Sequence, residues 1–131
     1  MPAVKGILET CLYVDDLAVA EAFYSKVLNL TPFSRVGSRH VFFRLGAQML
    51  LLFNPAETVK ATGEVPPHGA YGAGHIAFAV SAAEIPAWRE HLQACGISLE
   101  AEITWPSGGQ SIYFRDPAGN SLEVATVQTW G

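Results

Sequence analysis

Three side chains able to do chemistry stand inside apolar, strand-like runs: Glu9 in "ILETCLYV", His75 in "GHIAFAV" and Glu123 in "SIYFRDPAGNSLEV". A carboxylate in a half-buried strand is costly unless it is paired or bound. Two carboxylates and an imidazole make a donor set for a divalent ion such as Zn, Fe, Mn or Ni, with positions left open for water or substrate. At a period of two, Glu9 shares a strand face with Cys11 and Tyr13, His75 with Ala77 and Ala79, and Glu123 with Ala125 and Val127. Small and apolar neighbours of this kind suit the wall of a curved sheet around a cavity.

The elements that must carry these residues repeat. A strand over 7–14 leads to a helix in "LAVAEAFYSKVL", whose Leu17, Ala20, Phe23, Tyr24, Val27 and Leu28 fall on one face. Asp15 or Asp16 can cap it, and Asn29 can stop it. Strands are expected near 31–36, in "HVFFRLG" and in "QMLLLFN". The order then recurs. "HIAFAV" is a strand, 81–95 holds a helix with Ile85, Trp88, Leu92 and Cys95 on one face, and strands follow near 98–105, 110–115 and 121–127. The start of the second helix reads two ways: Ser81 with Glu84 resembles a capping box, and Pro86 suits the first helical position. The fold expected is α+β: two tandem βαβββ modules, about 5–55 and 73–128, forming a curved, partly open barrel-like sheet in one domain.

Matching the halves sets Phe43-Arg44 against Phe114-Arg115, Glu9 against His75 and Leu50 against Glu123. Glu9 and His75 are then expected to be related by the pseudo-twofold axis. The matched Arg44 and Arg115 read as structural partners. The connecting segment 56–72, rich in Gly and Pro in "GEVPPHGAYGAG", reads as a linker and a rim or lid, with His68 or Tyr71 able to touch a ligand.

Bulk composition narrows the classes. The net charge of −4 without a basic run argues against nucleic acid, and no apolar run reaches membrane-spanning length. Half the residues are apolar and 15% charged, which implies apolar surface covered by a partner subunit or lining a cavity. Two cysteines, Cys11 and Cys95, make no disulfide framework, and a reduced cytoplasmic setting is the default.

"LYVDDLAVAEAFYSKVLNL", "GHIAFAV" and "YFRDPAGNSLEV", in this order, resemble the vicinal oxygen chelate superfamily, which includes glyoxalase I, fosfomycin-resistance proteins, methylmalonyl-CoA epimerase, extradiol dioxygenases and bleomycin-resistance proteins. The resemblance implies paired modules with a metal in the cup, held by Glu9, His75 and Glu123. Glu9 or Glu123 would act as base. It also implies a small-molecule ligand contacted by Ser111 and Tyr113 of "QSIYF", with Cys11, Tyr13, Leu50 and Trp105 as further lining, and a homodimer. The sequence departs from the family in having Glu9 where many members have His, and Leu50 where the glyoxalase pattern has a fourth ligand. Two functions are therefore expected to compete. One is a metal-dependent lyase, isomerase, transferase or dioxygenase acting on a small oxygen-rich substrate. The other is a metal-free dimer that sequesters a small molecule, as bleomycin-resistance proteins do.

Overall fold

A computed structural model describes all residues 1–131. The order is β1 (Glu9–Tyr13), α1 (Leu17–Val27), β2 (Pro32–Val36), β3 (His40–Leu45), β4 (Gln48–Phe53), α2 (Pro55–Thr58), β5 (His75–Ala79), α3 (Ile85–Ala94), β6 (Ala101–Thr104), β7 (Gln110–Arg115) and β8 (Ser121–Ala125). Short 3-10 turns occupy Ala82–Glu84 and Val127–Trp130. The class is α+β, as the motif order implies. The strands do not form one sheet. They form two four-stranded sheets, ordered β1-β4-β3-β2 and β5-β8-β7-β6, and neither closes on itself. The chain divides into two compact units, Met1–Tyr71 and Gly72–Gly131.

In the first unit Asp16, not Asp15, caps α1: the Val19 N–H donates to Asp16 Oδ1 at 3.1 Å. Asn29 follows the helix with a φ of 55°, the left-handed conformation that asparagine tolerates. Helix α1 buries Ala20, Tyr24 and Val27. Tyr24 stacks on Phe43 with ring centroids 6.0 Å apart. Leu12, Val41, Leu50 and Leu52 share that core face, each almost wholly inaccessible. Together they place one face of the sheet under α1 and leave the other to Glu9, Cys11, Tyr13, Leu51, Phe53, Phe42 and His40, by the alternation of the paired register.

The second unit repeats the plan. Ile112, Phe114, Leu122 and Val124 line the buried face of its sheet, and Ile85 and Leu92 of α3 belong to the same buried set. Of the two readings of the α3 start, the capping box does not form, because Ser81 makes no side-chain bond to a helix N–H, whereas Pro86 does sit in the first turn. Ser81 Oγ donates to Glu84 Oε1 at 2.7 Å across the 3-10 turn, and the α-helix begins at Ile85 with Pro86 in its first turn. Gly96, at φ 75°, ends the helix. Strand β6 is shorter than expected, because Gly96 and the residues after it belong to the turn leaving α3. Strand β8 stops at Ala125, where Val127–Trp130 coils into a 3-10 turn.

The register corrects the internal match. Cys11 and Ala77 are equivalent third residues of β1 and β5; Cys11 pairs with Leu51, and Ala77 pairs with Glu123. Phe42 pairs with Leu51, and Tyr113 pairs with Glu123. Leu51, not Leu50, therefore occupies the place of Glu123. Leu50 pairs with Phe43 as Leu122 pairs with Phe114, on the core face. The second hairpin is longer at its turn, so an alignment carried through "GAQ" and "DPAGN" slips by one residue, and one residue inverts the face.

Candidate functional site

The face of the second sheet opposite its apolar core face carries His75 on β5, Ser121 and Glu123 on β8, and Ser111 and Tyr113 on β7, all brought together by strand pairing. His75 Nδ1 lies 3.0 Å from the Ser121 carbonyl oxygen. A carbonyl has no proton to give, so Nδ1 carries the hydrogen and donates it, which leaves Nε2 as the nitrogen that faces Glu123. That atom lies 3.3 Å from Glu123 Oε1. The imidazole is half exposed, with 50% of its side chain accessible, against 8% for Glu123.

Glu123 is the buried carboxylate that the sequence made conspicuous. Its other oxygen, Oε2, accepts a 2.5 Å hydrogen bond from Ser111 Oγ, and Ser111 Oγ accepts from Trp105 Nε1 at 2.8 Å. The Tyr113 ring stacks near His75, with centroids 6.2 Å apart and planes 20° from parallel. Burial pushes the Tyr113 phenol above its ordinary range, and the neighbouring Glu123 charge adds to the shift. Tyr113 is thus held as a proton-bearing donor beside the carboxylate.

The "DPAGN" turn does more than reverse the chain between β7 and β8. The structure gives it a further task. Asp116 and Asn120 are almost fully buried. Asp116 Oδ1 accepts from the Ala118 and Asn120 N–H groups, each at 2.9 Å, and Oδ2 accepts from Asn120 Nδ2 at 3.0 Å. Asn120 Oδ1 in turn accepts from the Gly74 N–H at 2.8 Å, immediately before His75. The turn therefore fixes the starts of both β8 and β5, the strands that present Glu123 and His75. The only trace in sequence is the Asp–Asn pairing within a short turn, which leaves its distant partner Gly74 unspecified.

In the first unit Glu9 begins β1 and is exposed, and Cys11, also exposed, is a free thiol. Tyr13 Oη and His68 Nδ1 are 2.7 Å apart. Burial raises the Tyr13 phenol, with Cys11 contributing. The His68 ring also meets Phe53 edge-on at 4.7 Å, and the His68 backbone N–H donates to the Thr58 carbonyl at 3.0 Å. The expected surface loop is tied down here: a Cβ on Gly69 would come within 2.6 Å of Val59 Cγ1, so the backbone passes too close to admit one. Leu50, expected to line a ligand, is 1% exposed in the core, and Leu51 takes the opposite face of that strand. Arg44 stacks over Phe33 at 4.5 Å, and Arg115 binds Glu100 through Nε and Nη2 at 2.8 and 2.9 Å. Both arginines are engaged with the fold.

No group of three or more His, Cys, Asp or Glu side chains converges as a metal cluster, so within the second unit His75 and Glu123 stand as a pair. A cavity of about 350 Å³ in the first unit is lined by Arg39, Thr58, Lys60, Val65 and Pro66 and by none of the expected site residues.

Comparison with known proteins names the class to which this fold belongs. Residues 6–124 match the family described as the Glyoxalase/Bleomycin resistance protein/Dioxygenase superfamily. The chain belongs to that superfamily. It is 30% identical over 124 residues to a metallothiol transferase FosB from Bacillus licheniformis, covering 94% of this chain and 76% of the relative. A crystal structure of a lactoylglutathione lyase from Agrobacterium tumefaciens superposes with a TM-score of 0.94 at 44% identity, covering 99% of each chain. The fosfomycin resistance protein FosX from Listeria monocytogenes shares the fold, with a TM-score of 0.71 at 22% identity. No helix is long and apolar enough to cross a membrane.

Proposed function

We propose that this protein is a divalent-metal-dependent enzyme acting on a small oxygen-rich substrate. His75 Nε2 and Glu123 Oε1 would hold the ion, with Glu9 as the third ligand. The observation that carries the reading is the 3.3 Å approach of His75 Nε2 to Glu123 Oε1. With Nδ1–H given to Ser121, Nε2 and Oε1 face one another, and a proton or a cation between them satisfies both. The donor set of one imidazole and carboxylates fits Zn, Fe, Mn or Ni. Glu9 enters as the first residue of β1, as His75 is of β5.

When bound, the ion would supply Lewis acidity to substrate oxygens. The chain's own residues do the rest. Ser121 fixes the His75 tautomer. Tyr113, kept protonated, donates a hydrogen bond toward a substrate oxygen. Glu9 or Glu123, on leaving the ion, would take a proton from substrate. Metallothiol transferase and lactoylglutathione lyase both name sulfur chemistry, so a thiol co-substrate is the first to test. A homodimer in the cytoplasm completes the reading, supported by exposed apolar side chains such as Ile7, Leu8 and Trp130.

The alternative is a metal-free dimer that sequesters a small molecule. It is favoured by Leu51, an apolar residue in the first repeat at the place that Glu123 holds in the second. Elemental analysis of protein purified without a His tag separates the two. A divalent ion at up to one per chain, followed by thiol-dependent turnover of a small oxygen-rich substrate, supports the enzyme. Metal-free protein that takes up no added ion leaves the sequestering protein.

A further inference from the structure

Ser111 and Trp105 first read as ligand contacts, and the hydrogen-bond directions give them a different task. An indole N–H can only donate, so Ser111 Oγ must accept from Trp105 Nε1 at 2.8 Å. The single hydroxyl proton of Ser111 is then free to point only elsewhere, and it goes to Glu123 Oε2 at 2.5 Å. Ser111 is 1% exposed. It has neither a spare proton nor open surface for a substrate. The three residues lie on or at the end of three adjacent strands, β6, β7 and β8, so the chain of bonds runs across the sheet. Trp105 is itself held by a tight turn, its N–H donating to the Gly109 carbonyl at 2.8 Å and its carbonyl accepting from Gly108 N–H at 2.9 Å.

We propose that Trp105 and Ser111 are positioning residues that lock the Glu123 carboxylate with Oε2 turned inward and Oε1 presented to His75. This rests on the metal-binding reading for its use, but the hydrogen-bond chain can be tested without metal. A buried carboxylate with one oxygen anchored cannot swing between one-oxygen and two-oxygen binding. Its donor atom is set before any ion arrives, which reduces the ordering cost of binding.

Two measurements decide it. In the metal-free protein, the Trp105 indole proton is followed by NMR. Glu123→Gln should shift that resonance in the wild-type background, because the change passes through the Ser111 hydroxyl, and should leave it unmoved in Ser111→Ala. An indole resonance indifferent to Glu123→Gln in both backgrounds overturns the chain. The second measurement is Co(II) affinity by visible absorption. Ser111→Ala should weaken it by about 10–100-fold, the usual effect of removing a partner of a metal ligand. Ser111→Thr, which keeps the hydroxyl, should restore it, and Trp105→Phe should give a smaller loss while preserving the ring. Wild-type affinity in both Ser111→Ala and Trp105→Phe overturns the positioning role. Failure of the wild type itself to bind Co(II) removes the metal-binding reading, and the NMR result then still judges the orientation of Glu123.

Discussion

Leu51 and Glu123 occupy the same place in the two repeats: each is the third residue paired along its parallel strand, Leu51 with Cys11 and Glu123 with Ala77. One repeat thus carries an apolar side chain where the other carries a carboxylate. Leu50, one residue earlier, lies in the core. Leu50→Ala should cost about 2–5 kcal/mol of unfolding free energy, the range for deleting a buried leucine side chain. Urea denaturation checks it. A loss below about 1 kcal/mol would contradict the register.

The metal-binding reading makes a graded prediction. His75→Ala and Glu123→Ala should each abolish retention of a divalent ion in protein purified without a tag. Glu9→Gln should weaken binding less than Glu9→Ala, because an amide oxygen remains a donor. Plasma emission spectrometry gives the occupancy. Full occupancy in His75→Ala would remove His75 from the site.

The Asp116–Asn120 turn predicts an effect at a distance. Asp116→Ala leaves the buried Asn120 amide and two N–H groups without their acceptor, at a cost of about 1–3 kcal/mol. Asn120→Ala additionally frees Gly74 N–H. Hydrogen exchange at residues 74–76 should accelerate in Asn120→Ala. Unchanged protection there would show that β5 is placed by other contacts.

Two kinds of group set opposite pH limits. His40 is held below its usual value of 6.5 by burial first and by Arg39 second. Its contribution to stability is present above about pH 6.5 and is lost as pH falls, because the unfolded chain takes up the proton more readily. Tyr13 and Tyr113 are raised above 10.0, chiefly by burial. Their contribution is full below about pH 10 and is lost as pH rises through the folded-state values, because the unfolded chain then releases protons first. Thermal melts of Tyr113→Phe should therefore fall less between pH 9 and 11 than those of the wild type. An identical alkaline fall would show that Tyr113 titrates as it does in water.

Much of this molecule is legible along the chain. The apolar spacing of Ala20, Tyr24 and Val27 makes an amphipathic helix whatever follows, because side chains three and four apart share a face. Asp16 caps that helix and Gly96 ends α3 through contacts within a few residues. The duplicated order and the conspicuous carboxylate at Glu123 are equally local, since period two is a property of any strand. What the chain could not fix was register. Whether Leu50 or Leu51 faces inward depends on how β4 seats against β1 and β3, and a turn of different length moves that by one residue. Nor could it fix partners distant in sequence. Ser111 and Trp105 became props for a carboxylate, and Asn120 became the anchor of Gly74, because side-chain hydrogen bonds are decided by which strands lie adjacent. That adjacency exists only after the sheet has formed.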